Sequence, residues 1–328
     1  MIRFTHIYAE EKVLHLERTK QIIRKQSQAA VIPIADYKNI FNRSNQNFQA
    51  QKSCMRLILA EKKDQFYYPG SQIADNLKHP RFYYNSLILN CMYNCEYCYL
   101  QGMYNSGHIV IFVNLEDFFR ETDVLLSSGE ETYLCISYDT DLLAFESLVP
   151  YASEWIRFAE KRPNLLLEIR TKSAGFSQIE HIEPIPNVIL AWTLSPAAAA
   201  RRYEKKTPTL KRRMESLQAA VKKGWRTRIC FDPILRFPDW KKEYSELIDT
   251  VMEVPELRNV NDITVGVFRI NAKYLKNIKK MRTDSELIYY PFKRNGDIAS
   301  YKKEYEQEML DFFISHLEKY YRSEKIYV

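Results

Sequence analysis

No stretch of this 328-residue sequence approaches the roughly 18 uncharged apolar residues that a membrane span requires. Residues 1–20 scatter Arg3, Glu10, Glu11, Lys12 and Arg18 through any apolar run, so no secretory leader and no membrane partner is expected, and the expected compartment is the cytoplasm. Cysteine is scarce: there are six, three of them packed into residues 91–98, unlike a secreted disulfide framework and compatible with the reduced thiols that metal sites need. Internal repeats are lacking, and the only short low-complexity tract is Ala197 to Ala200. What remains is an ordinary folded chain, 46% apolar, long enough for one barrel-sized domain with an appendage.

Positive charge is in modest excess, with 48 Lys and Arg against 41 Asp and Glu. It clusters at Lys205-Lys206, Lys211-Arg212-Arg213, Lys222-Lys223 and Lys276 to Arg282. Such a balance attracts phosphate backbones through counterion release, but solvated helix faces of basic proteins look the same. Charge alone therefore leaves nucleic-acid binding open. The 23 tyrosines and 17 phenylalanines offer stacking surfaces for bases and equally well a packed core.

From residue 83 onward, short β-rich runs alternate with amphipathic stretches, the pattern of parallel strands joined by crossover helices. Six strands are predicted: Tyr83 to Asn90, Thr132 to Tyr138, Leu165 to Lys172, Val188 to Ser195, Arg226 to Ile234 and Asp262 to Ile270. Asn114 is placed to cap a helix through Leu115, Phe118, Phe119, Leu125 and Leu126, stopping near Gly129. Thr209 opens a basic helix ending at Gly224, another follows Trp240, and a last one, about Lys303 to Tyr320, repeats Met309, Phe312, Phe313 and Leu317 on one face. Residues 1–80 lack clean alternation and read as an irregular α/β extension, with a linker near Tyr68-Pro69-Gly70 or His79-Pro80. Residues 81–272 form the repeat region, and residues 273–328 a C-terminal hairpin and helix.

Cys91-Met-Tyr-Asn-Cys95-Glu-Tyr-Cys98 directly follows the first predicted strand, at the end where barrel active sites are built. Three thiolates on one tight loop can hold three corners of a cubane iron-sulfur cluster, leaving a fourth iron open to a chelating small molecule. The bland alternatives are zinc, with a distant fourth ligand such as Cys54 or His108, or a chance group of buried thiols.

The C-x-x-x-C-x-x-C spacing resembles that of the radical S-adenosylmethionine enzymes, which implies an α/β fold with a partial (β/α)6 barrel, a 4Fe-4S cluster and S-adenosylmethionine as cofactors, and a reducing partner such as flavodoxin or ferredoxin. Cys95-Glu-Tyr-Cys98-Tyr-Leu-Gln101 resembles the spore photoproduct lyase family more closely, as do Phe112 to Asp117, Arg170-Thr-Lys172, the strand end at Ser195, Thr207 to Arg212 with Ala219 to Gly224, and Asp232-Pro-Ile234. The resemblance implies Cys91, Cys95 and Cys98 as cluster ligands, with Tyr97, Lys172, Ser195, Thr140 and Asp141 as cofactor-side residues; Asp232, an aspartate where the family's Ala-Pro-Ile segment has alanine, is a further cofactor-side candidate. It also implies action on ultraviolet-damaged DNA; a monomer is expected.

Two departures bear on the substrate. Where the family carries a hydrogen-donating cysteine at the end of the second strand, this sequence carries Tyr138, so either the substrate is not simply the spore photoproduct or Tyr138 with Tyr97 and Tyr99 completes a different hydrogen relay. Cys135, in the same strand, is expected to face the other side and to pack in the core. Near the C-terminus Asn295-Gly296 signals a two-residue hairpin with Arg294 at its tip, and Lys293, Arg294 and Asn295 are its DNA-contacting candidates, Asn295 standing where the family has a tyrosine. Three readings follow: a carbon-carbon lyase of DNA repair whose dipyrimidine lesion differs from the standard one, a radical enzyme on a substrate other than nucleic acid, and a cluster-bearing DNA-binding or sensing protein without turnover.

Overall fold

The computed structural model describes residues 2–70, 77 and 79–328, and two sheets organise them. The larger has eight strands in the order Ile326–Tyr327, Asp262–Val267, Arg226–Ile234, Val188–Thr193, Leu165–Thr171, Thr132–Cys135, Phe82–Tyr84 and Tyr68–Pro69. All neighbours pair parallel except the last two. The six inner strands stand side by side in chain order, as right-handed crossovers produce, and curl into a partial barrel. Val188–Thr193 and Asp262–Val267 are buried along their whole length, which explains their continuous apolar reading.

The crossover helices follow their sequence punctuation. Leu210–Lys223 begins where Thr209 accepts a hydrogen bond from the Arg212 amide, and ends at Gly224, whose φ of +93° suits glycine. Trp240–Met252 and Lys303–Leu317 bury the expected faces, the latter through Met309, Phe313 and Leu317. Among the described residues no helix is long and apolar enough to cross a membrane.

Residues 1–80, expected to be irregular, contribute three of the five strands of the smaller sheet, ordered Ala30–Ile34, His6–Glu10, Leu57–Ala60, Ile109–Phe112 and Ile88–Leu89. Their alternation was hidden because Ala30–Ile34 is a largely exposed edge strand containing Pro33, and Leu57–Ala60 is only four residues long. Tyr68–Pro69, expected in a linker, pairs as an edge strand, and residues 71–76 and 78 of that linker region lie outside the described residues.

Three further expectations are corrected. The predicted strand Tyr83 to Asn90 breaks at the buried polar pair Asn85-Ser86, so that Phe82–Tyr84 joins the barrel and Ile88–Leu89 joins the smaller sheet. The third and fourth barrel strands are linked by a single 3-10 turn, Phe176–Gln178, because a short segment carrying Pro184 and Pro186 leaves no room for a full helix. Asn114 precedes Leu115–Leu126 but does not cap it. Its side chain accepts from the Lys62 amide at 2.8 Å and donates to the Lys62 carbonyl at 2.8 Å, fastening the helix start to the N-terminal region.

Candidate radical cofactor site

The cysteine loop leaves and re-enters the smaller sheet, since Ile88–Leu89 and Ile109–Phe112 on either side of it are neighbouring strands there. Asn90 turns the chain with φ of +68°, a conformation asparagine tolerates better than most residues. Its side-chain amide donates to the carbonyls of Ser106 at 2.6 Å and His108 at 2.7 Å. Asn94–Cys95 then pairs antiparallel with Glu204–Lys205. Cys91, Cys95 and Cys98, all free thiols, line one cavity of about 640 Å³, together with Lys172, Thr193 and Asp232 near the C-terminal ends of barrel strands.

Burial pushes the Cys91 thiol up to about 12, with Asp141 adding to the effect, and pushes Cys95 and Cys98 up as well. Three neutral thiols there must lose protons when they ligate a metal. Cations surround them. The Lys52 ammonium, 3% exposed, donates to the Cys91 carbonyl. Arg282, also buried, donates to Gln101 Oε1 at 2.6 Å and Asn94 Oδ1 at 2.5 Å. Lys172 Nζ stands 5.7 Å from the centre of the Tyr97 ring.

This donor set fits an iron-sulfur cluster. Thiolates are soft ligands suited to iron-sulfur or zinc. Three cysteines on one loop are the ligand number that leaves one iron of a cubane cluster without a protein ligand. The residues considered for completing a zinc site lie elsewhere in their contacts: Cys54 is exposed with Sγ 3.5 Å from the Ala50 carbonyl, and His108 Nδ1 accepts from the Arg56 amide at 3.2 Å.

A buried carboxylate underpins one side of the site. Glu204 accepts from the Tyr97 hydroxyl, from Ser195 Oγ at 2.8 Å and from Arg213 at 2.5 Å. Ser195 is thus committed to Glu204 and is not among the cavity-lining residues. Asp141 lines the cavity but spends its oxygens on Thr171 Oγ1 and the Lys172 amide, both at 2.6 Å, which fixes the strand end carrying Lys172. Thr140 also lines the cavity, and its buried hydroxyl has no partner among the described residues. Asp232 receives Arg269 at 3.2 Å and faces Arg170 at 3.8 Å.

The opposite side is aromatic. Tyr138 stacks on Tyr84 at 4.0 Å, Tyr84 on Tyr68 at 5.2 Å, and the Tyr99 ring lies 6.1 Å from that of Tyr138. Tyr99 donates to Asp139 Oδ1 and to the Tyr138 carbonyl, both at 2.9 Å. Asp139 is buried and also takes the hydroxyl of Ser86, and burial raises its carboxyl despite these donors. Tyr138 and Tyr99 are therefore neighbours, while the Tyr97 hydroxyl is engaged on the Glu204 side. Cys135 was expected to face away from Tyr138. The strand ends at Cys135, so its alternation stops there, and both residues line the cavity.

The C-terminal hairpin exists, with its turn one residue later than expected. Lys293–Asn295 pairs with Ile298–Ser300, Asn295 opposite Ile298, so Gly296-Asp297 makes the turn, with Gly296 at φ of +57°. Arg294 is consequently a strand residue, its guanidinium on the Gly296 carbonyl at 2.7 Å. Ile298–Ser300 pairs in turn with Arg269–Asn271, whose Arg269 and Ile270 line the cavity, so the exposed hairpin is anchored to the cavity rim.

Sequence reasoning did not single out Lys52, Arg282, Glu204, Asp139 or Tyr84. Glu204 had one signal, an acid alone in the basic run Arg201 to Lys206. Lys52 had none, since nothing around it in the sequence points to a partner.

A family model described as spore photoproduct lyase matches residues 5–326. The spore photoproduct lyase of Clostridium acetobutylicum is 24% identical over 259 residues, covering 73% of this chain and 74% of that protein. The spore photoproduct lyase of Bacillus subtilis is 22% identical over 253 residues, covering 72% of each. Among solved structures, spore photoproduct lyase complexed with dinucleoside spore photoproduct superposes with a TM-score of 0.82 at 18% identity, covering 99% of this chain and 98% of that one. A mutant of that enzyme with bound AdoMet and dinucleoside spore photoproduct superposes with a TM-score of 0.81. At this identity the structural likeness shows the fold, a partial barrel of the same kind.

Proposed function

This chain belongs to the spore photoproduct lyase family, and with it to the radical S-adenosylmethionine enzymes, and from that premise we propose that it repairs a dipyrimidine photoproduct in DNA with Tyr138 in place of the usual hydrogen-donating cysteine. The observation that carries this reading is the single cavity lined by Cys91, Cys95 and Cys98 at one part and by Tyr138, Thr140 and Lys172 at another. Cys91, Cys95 and Cys98 would hold three irons of a 4Fe-4S cluster. Bound together, cluster and S-adenosylmethionine supply a carbon-centred radical that removes hydrogen from a substrate carbon, chemistry that belongs to the cofactor.

The chain's own residues hold and aim. Lys172, fixed through its amide by Asp141, offers an ammonium to an anionic group of the cofactor, and the unpartnered Thr140 hydroxyl offers a donor and an acceptor. Asp232 with Arg269 presents a polar pair at the rim. Tyr97 and Ser195 act indirectly, by holding Glu204 against Arg213 beside the cysteine loop. At the end of the reaction the Tyr138 O–H bond breaks, its hydrogen atom forms the C–H bond of the repaired base, and the unpaired electron is left on the Tyr138 ring system, beside Tyr84 and Tyr99. A low-potential one-electron donor of the flavodoxin or ferredoxin class supplies the reducing electron.

The test is anaerobic reconstitution with iron and sulfide, then dithionite and S-adenosylmethionine with and without ultraviolet-irradiated DNA, measuring 5'-deoxyadenosine and repaired nucleotides. Formation of 5'-deoxyadenosine with repair of irradiated DNA upholds the reading. Cofactor cleavage indifferent to DNA points to another substrate. An intact cluster with DNA binding and no cleavage points to a sensing protein.

A further inference from the structure

Lys52 and Arg282 come from different parts of the chain, the first from the short helix Phe48–Ser53 of the N-terminal region and the second from just beyond the helix Ala272–Met281. Both are buried against the cysteine loop. Lys52 Nζ finds the Cys91 carbonyl and, at 3.7 Å, Met55 Sδ. Arg282 finds the side chains of Gln101 and Asn94 and, at 3.3 Å, the Asn94 carbonyl. Neither is in ion-pair contact with a carboxylate among the described residues. A buried cation without a counter-charge costs several kcal/mol, so a buried lysine either gives up its proton or is matched by an anion held nearby, and an arginine, which keeps its charge, needs the anion.

The surrounding hydrogen bonds make the placement deliberate. Gln49, one turn before Lys52, donates to Gln101 Oε1 at 3.0 Å and accepts from Asn94 Nδ2 at 3.1 Å. Gln51 accepts from Ser106 Oγ at 3.2 Å and the Gly107 amide at 2.7 Å. Lys206, in the strand-loop that pairs with the cysteine loop, caps the Lys52 carbonyl. The short helix is thus bolted to both ends of the loop. Three cysteinates on an iron-sulfur core form a net anion at this spot, and nearby positive charge favours the more negative, reduced state of such a core.

We propose that Lys52, seconded by Arg282, is the counter-charge of the cluster and a positioning residue that raises its reduction potential, which makes the N-terminal region part of the redox site. This rests on the cluster assignment proposed above. The test is an EPR-monitored redox titration of the reconstituted full chain and its Lys52→Gln and Lys52→Arg variants. Glutamine keeps a donor for the Cys91 carbonyl and removes the charge, and arginine keeps the charge.

The expected result is wild-type iron content in both variants, a midpoint shifted to more negative potential in Lys52→Gln, and a midpoint near wild type in Lys52→Arg. Loss of the cluster in Lys52→Gln with retention in Lys52→Arg supports the same role, exerted already at assembly. Iron-loaded Lys52→Gln with an unshifted midpoint overturns the proposal, as does loss of the cluster in both variants, which marks a packing role. A wild-type chain that assembles no cluster removes the cluster assignment itself, and this inference with it.

Discussion

Tyr138 lies nearly flat on Tyr84, ring centroids 4.0 Å apart and planes inclined by 22°. An offset stack of this kind contributes roughly 0.5–1.5 kcal/mol and fixes where the hydroxyl points. The stack depends on the ring, while hydrogen donation depends on the O–H bond, so Tyr138→Phe separates them. The variant is expected to melt close to wild type and to form 5'-deoxyadenosine, but to return about tenfold less repaired nucleotide per cofactor cleaved. Product and cofactor yields from one reaction mixture give that ratio. An unchanged ratio transfers the donor role to Cys135, which lines the same cavity and whose thiol burial pushes up to about 12, so that it keeps its hydrogen at neutral pH.

Glu204 and Arg213 form an ion pair with both side chains fully buried, 2.5 Å apart. Burial alone would raise the Glu204 carboxyl, but Arg213, with help from Lys172 and Tyr97, holds it below its usual range. Removing one partner strands a charge in the interior. Arg213→Met is expected to lower unfolding free energy by about 3–5 kcal/mol, and the double variant Arg213→Met with Glu204→Gln by clearly less. Urea unfolding of the two variants against wild type gives both values, and equal losses would mean that the stranded charge is not the cause.

His108 supplies a pH dependence. It is buried, burial lowers its pKa from the usual 6.5 to about 4 with Arg56 assisting, and its Nδ1 must be unprotonated to accept the Arg56 amide. The folded value lies below the unfolded one, so between these two the unfolded chain binds more protons. Stability is therefore full above about 6.5 and falls as pH drops toward about 4. The loss between pH 7 and 5 is expected to be about 2 kcal/mol from this group. Comparing wild type with His108→Asn isolates it, because other titrating groups are common to both. Parallel stability curves would show that His108 is not the group responsible.

Much of the barrel was legible because its strands are buried on both faces and its helices carry their own stops, such as Thr209 and Gly224. The cysteine triad was legible because its three thiols lie within one loop, and the fold brings all three to one cavity. The supporting charges were not, since Lys52, Glu204 and Arg282 meet the loop from distant parts of the chain, and nothing local marks a lysine that is to be buried. Asp141 shows the converse. The resemblance implied a cofactor-side role for it, and the fold places it in the cavity wall with its oxygens on Thr171 and the Lys172 amide. Sequence proximity to a motif identified the neighbourhood, and only tertiary hydrogen bonding showed which of its polar groups already have protein partners.

The hairpin offers a separate test of the substrate. Lys293 and Arg294 are exposed, and Arg294 bonds the Gly296 carbonyl and, at 3.4 Å, Asp297 within its own turn. Through Ile298–Ser300 the hairpin is hydrogen-bonded to Arg269–Asn271 on the cavity rim, so a duplex presenting a base to the cavity would bring phosphates near it. Each phosphate neutralised by a lysine or arginine contributes about one unit to the slope of log affinity against log salt. Lys293→Ala with Arg294→Ala is therefore expected to weaken binding of irradiated duplex DNA and to flatten that slope by about two. Fluorescence anisotropy titrations across a salt series measure both quantities. A weaker affinity with an unchanged slope would mean that the hairpin acts through shape, and an unchanged affinity and slope would remove it from the interface and shift attention to the lysines of Ala272–Met281, the helix that follows Arg269–Asn271 directly.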